Sequence, residues 1–160
     1  MPALGRHRGA DHRAVAAGRR HRRWPGAGDV FYGEGMLESA HAVAFVSATD
    51  LARARDFYEG TLGLEVQEIS GFACVFRTGG ATLRVTLVGE LSPQPFTVFG
   101  WEVGAIADTM AGLAARGVEF ARFEGMDQDP AGVWTTPGGD RVAWFRDPDG
   151  NVLSLTQLHG

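Results

Sequence analysis

An α+β fold of two βαβββ modules, each a curled mixed sheet with one helix on its outer face, follows from three observations. A unit of about 55 residues is written twice between residues 40 and 158. Each copy runs a short apolar strand into a helix and then shows three further strand signals. Glycine closes both helices. A repeated unit that cannot enclose a core alone must pack against its twin, so the duplication limits the architecture and shows where a site can form.

The elements follow in order. The first copy opens with AVAFVSATD, where the stretch from Ser47 to Asp50 can cap a helix. The helix LARARDFYEGTLG carries Leu51, Ala54, Phe57, Tyr58 and Leu62 on one stripe, and Gly63 ends it. Strand signals follow at Leu64, Val66 and Ile69, then at Phe72 to Phe76. A Gly79-Gly80 turn leads into Leu83, Val85 and Leu87 at period two. Residues 90–95, with two prolines, link the copies. The second copy opens with TVFGWEV, and Val98, Ile106 and Gly117 fall against Val43, Leu51 and Gly63 of the first. Its helix carries Ile106, Met110, Leu113 and Ala114. VEFARFEG and a polar loop over 125–132 precede Val133-Trp134-Thr135. The turn Asp147-Pro148-Asp149-Gly150-Asn151 then joins RVAWFRD to NVLSLTQL, with proline presetting φ and glycine supplying positive φ.

Charge is uneven along the 160 residues. The first 35 hold seven arginines against three acids, while the remainder holds eight against sixteen and carries a net charge near −8. Lysine is absent. The opening segment shows no apolar periodicity, so residues 1–35 read as a disordered basic tail, with Met36 as an alternative start, and 36–160 as a single domain with modules at about 40–89 and 96–158. An acidic body argues against nucleic-acid binding. No apolar run approaches the roughly 18 residues of a membrane span, so a cytoplasmic protein is expected. Cys74, the single cysteine, excludes an intrachain disulfide and a thiolate cluster and reads as core.

Alternation sorts the strand residues. Leu83, Val85 and Leu87 oppose Thr82, Arg84 and Thr86, and Leu153 and Leu155 oppose Val152, Ser154 and Thr156. The fully apolar set belongs under the helix. The concave side then takes Val43, Phe45, Ser47, Arg84 and Thr86 from module one, and Val98, Gly100, Glu102, Val152, Ser154 and Thr156 from module two. Phe99 and Trp101 point under the helix. Trp134 and Trp144 are candidates for the rim, and the pattern leaves their facing open.

Two segments, DLARARDFYEGTLGL and FRDPDGNVLSL, together with the duplication, make residues 40–158 resemble the vicinal oxygen chelate superfamily. That superfamily includes glyoxalase I, extradiol dioxygenases, methylmalonyl-CoA epimerase and the fosfomycin- and bleomycin-resistance proteins. The resemblance implies paired βαβββ modules forming an open, cup-shaped mixed sheet with the ligand in the cup. It also implies that metal-dependent members hold a divalent ion through His or Gln on the first strands and Glu on the last. Carried over one by one, those positions are Val43, Val98, Ser154 and Arg84. Arginine has no lone pair to donate and stays charged, so at a cation site it repels.

Three functional expectations result. The leading one is a metal-free small-molecule binding protein of the glyoxalase/bleomycin-resistance type, without cofactor and homodimeric. Its ligand is small and organic, anionic or aromatic. Phe45, Ser47, Thr86, Val98, Gly100, Trp144 and Ser154 line that ligand, and Arg84 forks onto a carboxylate or phosphate. The alternative is a divalent-metal-dependent glyoxalase- or dioxygenase-like enzyme, a lyase or oxidoreductase, in which a shifted register brings His41 and Glu102 to the ion. The third is a metal-free enzyme with Glu102 as its catalytic base and Arg84 stabilising an enolate-like anion. Against any role for Arg84 stands a structural ion pair with Glu102. No Ser-His-Asp or Cys-His set can be assembled, because the body holds only His41 and His159.

Overall fold

Asp50 sets the start of the first helix. Its backbone is extended, and its carboxylate accepts hydrogen bonds from the amides of Ala52 and Arg53 at 2.9 and 3.0 Å. Two of the donors that a helix N-terminus leaves over are thereby satisfied. The computed structural model describes residues 37–160. The basic tail expected over residues 1–35 lies outside the described residues.

Strand β1 is Ala42–Ala48 and helix α1 is Leu51–Arg55. The regular helix expected to run on to Leu62 instead widens into a π-helical turn over Asp56–Thr61, where the Leu62 amide donates to the Phe57 carbonyl at 2.8 Å. A π turn rotates consecutive side chains through a smaller angle than an α turn. Phe57 and Tyr58 therefore both face inward, one against Phe145 and the other against Phe76. Gly63, at φ 76°, ends the turn as expected.

Module one continues with β2 (Glu65–Ile69), β3 (Ala73–Thr78) and β4 (Ala81–Leu87), in the sheet order β1-β4-β3-β2 with β1 and β4 parallel. Module two repeats the pattern: β5 (Thr97–Glu102), α2 (Ile106–Ala114), β6 (Phe120–Ala121), β8 (Arg141–Arg146) and β9 (Val152–Gln157), ordered β5-β9-β8-β6 with β5 and β9 parallel. Strand β7 (Trp134–Thr135) pairs with β8. The protein is thus a mixed α+β fold of two open sheets.

One departure lies in β6, where VEFARFEG promised a full strand. The Gln128 side chain takes over the hydrogen bonds a longer ladder would have made. Its amide nitrogen donates to the Ala121 and Gly132 carbonyls at 3.1 and 2.7 Å, and its oxygen accepts from the Phe123 amide at 2.8 Å. A side chain that satisfies buried backbone groups in this way removes the need for a paired strand.

The helix-side faces of both sheets share one core. Val46, Ala54, Tyr58, Phe76, Leu83 and Val85 from module one join Ile106, Met110, Ala143, Phe145, Leu153 and Leu155 from module two. Phe57 meets Phe145 across the modules at 6.5 Å, Trp101 Nε1 donates to Thr78 Oγ1 at 2.5 Å, and Arg116 reaches the Thr61 carbonyl at 3.0 Å. Cys74 is 1% exposed in this core, and burial pushes its thiol pKa up. Among the described residues no helix is long and apolar enough to cross a membrane.

Candidate functional site

The open faces of the two sheets, opposite the helices, carry most of the residues that alternation selected. On sheet one the ladder aligns Phe45 with Arg84 and Val75, and Ser47 with Thr86 and Ala73. Phe45 is 66% exposed and Val43 51%. Arg84 stands between Phe45 and Val75, half-buried, and among the described residues it makes neither a hydrogen bond nor an ion pair. The structural pair with Glu102 does not form. The Thr86 hydroxyl, two residues along the same face, is buried and unpartnered among the described residues.

On sheet two, Gly100, Ser154, Trp144 and Ala121 form one row across four strands. Ser154 is 6% exposed. A Cβ at Gly100 would collide with its hydroxyl, so glycine is required there. Trp144, whose facing the pattern left open, lies on this open face. Its indole nitrogen donates to Thr97 Oγ1 at 2.9 Å, Phe123 meets it edge-on at 5.5 Å, and Trp134 tilts against it at 6.2 Å.

The row omits Val98. A register shift between Thr97 and Phe99 leaves Val98 without a partner on β9, and its side chain packs against the core. Thr97 takes the open-face position that strict alternation assigned to Val98. A bulge inserts one residue into one strand only, so a period-two count slips there. Thr97 escaped the sequence reading for that reason, and no composition signal flagged the bulge; Phe123 escaped it because it lies beyond the end of β6, where no strand alternation applies.

Glu102 ends β5, exposed, and lines a cavity of about 200 Å³ with Leu62, Leu64, Trp101, Leu113, Phe145 and Leu155, on the helix side of the sheet. It makes no bond to Arg84. His41 is exposed and hydrogen-bonds Thr82 Oγ1 through Nε2 at 3.1 Å. The modules meet through the shared core, the turns and the neighbouring strands β1 and β5, and among the described residues no hydrogen bond or ring contact links Phe45 or Arg84 to Ser154 or Trp144.

The donor chemistry does not suit a divalent ion. Val43 and Val98 are hydrocarbon, Ser154 is a neutral hydroxyl and Arg84 is a cation. Among the described residues no three His, Cys, Asp or Glu side chains converge as a ligand set. What the open faces offer is an unpaired guanidinium beside an exposed ring on one sheet, and a tryptophan pair beside two hydroxyls on the other. That chemistry suits an anion with an aromatic part.

Comparison with known proteins adds the following. The model of the Glyoxalase/Bleomycin resistance protein/Dioxygenase superfamily matches residues 39–155. No curated protein matches the sequence. Among solved structures, the fold is similar to a glyoxalase family protein of Enterococcus faecalis (TM-score 0.59, 20% identity, covering 75% of this chain and 98% of that one). It is also similar to a superfamily member from Sphaerobacter thermophilus (0.58, 23%, 73% and 95%) and to a lactoylglutathione lyase of Agrobacterium tumefaciens (0.58, 18%, 74% and 93%).

Proposed function

The chain belongs to the Glyoxalase/Bleomycin resistance protein/Dioxygenase superfamily, and from that premise we propose that it is a metal-free binding protein for a small organic anion with an aromatic part. The observation that carries this reading is Arg84: a half-buried arginine whose ladder neighbours are Phe45 and Val75, with no acid in ion-pair distance among the described residues. A charge held against apolar side chains without a partner is costly, and a ligand carboxylate or phosphate would relieve that cost. The lack of a converging donor set supports binding without a metal. A cytoplasmic homodimer completes the reading. Exposed Val43 and Phe45 offer a surface to a second copy that brings Arg84 of one chain toward Trp144 of the other.

The test is a titration with benzoate and phenyl phosphate, read by tryptophan emission, with benzyl alcohol as the neutral control. Saturable quenching by the anions alone is expected. Arg84→Met should weaken binding by at least about tenfold, the loss of one charge-assisted contact. Each ligand should be recovered unchanged after incubation with divalent metal salts. Near-stoichiometric divalent metal retained by tag-free protein, or conversion of the ligand, would sink the proposal.

A further inference from the structure

A second cleft, of about 360 Å³, opens where the π turn after α1, the segment after α2 and strand β8 meet; Ala121, at the end of the open-face row, borders it, and its other walls are residues outside that face. Its volume falls within the range of small-ligand sites. Phe57 and Phe120 give it an aromatic floor, and both are held in place by ring contacts to Phe145 at 6.5 and 5.8 Å. Gly117, at φ 87°, turns the chain so that the Val118 amide reaches the Leu113 carbonyl at 3.1 Å, and Glu119 follows at the wall of the cleft. Arg146 lines the same cleft. One guanidinium nitrogen donates to the Gly150 carbonyl at 2.8 Å, which steadies the group and leaves most of its five N–H donors free.

Among the described residues Glu119 makes no hydrogen bond and no ion pair, and it is not paired with Arg146 although both line one cleft. A simple anion would satisfy Arg146 but meet repulsion from Glu119, and a simple cation the reverse. A ligand with both charges close together satisfies both. We propose that this cleft binds a free α-amino acid with an aromatic side chain. Its carboxylate lies on Arg146, its ammonium on Glu119, and its ring against Phe57 and Phe120. A peptide is a poorer fit, because its terminal charges are far apart. The inference does not depend on the open-face reading.

The experiment is an amide-shift NMR titration of the full chain with L-phenylalanine, phenylacetate and phenethylamine. L-Phenylalanine should give saturable shifts at residues 117–121 and at Arg146, and each analogue, lacking one charge, should bind at least about tenfold more weakly. Glu119→Gln, at an exposed position, should weaken L-phenylalanine and phenethylamine while strengthening phenylacetate, whose carboxylate no longer meets a like charge. Arg146→Lys should weaken L-phenylalanine and phenylacetate by removing the fork while keeping the charge. No saturable shift at millimolar L-phenylalanine would overturn the proposal, as would equal affinity for all three compounds. Shifts centred on Gly100 and Ser154 that skip 117–121 would overturn it as well. The tryptophan titration with aryl anions is judged separately, so either idea can fail alone.

Discussion

Asp147 is 5% exposed, yet all its acceptor needs are met within the chain. Oδ1 accepts from the Asp149 and Asn151 amides at 3.0 and 2.9 Å, and Oδ2 accepts from the Tyr58 hydroxyl at 2.9 Å and the Asn151 side chain at 2.7 Å. Asn151 in turn donates to the Ser47 carbonyl at 2.8 Å, and Asp149 accepts from Thr49 and Arg53. The two segments that carried the family resemblance are therefore the two halves of one junction. The turn residues were legible from their own chemistry, but their partners, about a hundred positions away, were not. Burial and the neighbouring Asp147 charge push the Tyr58 hydroxyl pKa far above its ordinary value. Tyr58→Phe should destabilise the protein by about 1.5–3 kcal/mol, measured by urea denaturation, because it leaves a buried carboxylate short of a donor. Gly100→Ala should also destabilise. Adding Ser154→Ala should recover part of that loss, since the clash is chiefly with the Ser154 hydroxyl; strictly additive effects in the double-mutant cycle would refute this.

At the scale of elements, caps and periods were readable because they act within a few residues. The Asp50 cap and the glycines that end both helices appear where local chemistry put them. The hydrogen bond from the Arg53 amide, chiefly, holds the Asp50 carboxyl below the usual carboxylate range. A depressed acid stabilises the fold above its unfolded value and loses that contribution as pH falls through the folded value. Asp50→Asn should accordingly flatten the acid side of a stability-against-pH profile and leave neutral behaviour nearly unchanged. The π turn, the bulge at Val98 and the Gln128 substitute for a strand were not readable. Each depends on what the segment packs against, and each alters the period by one residue or replaces a ladder altogether.

For the molecule as a whole, the open faces raise a question of assembly that a variant mixture answers. If Arg84 of one chain and Trp144 of another complete one site, then Arg84→Met and Trp144→Ala proteins should each bind aryl anions poorly, while their mixture, after subunit exchange, regains wild-type-like sites. A mixture no better than its components would assign each site to a single chain. The sequence by itself determined the duplicated modules, the helix starts and closing glycines and, outside the bulge in β5, which side of the paired strands is apolar, because propensity, capping and alternation are local. Only the tertiary structure decided that the helix faces of both sheets share one core, that Trp144 joins the open face while Val98 leaves it, and that Arg84 has no acid beside it. Those outcomes depend on which surfaces meet across long stretches of chain, and a period-two pattern contains no term for that.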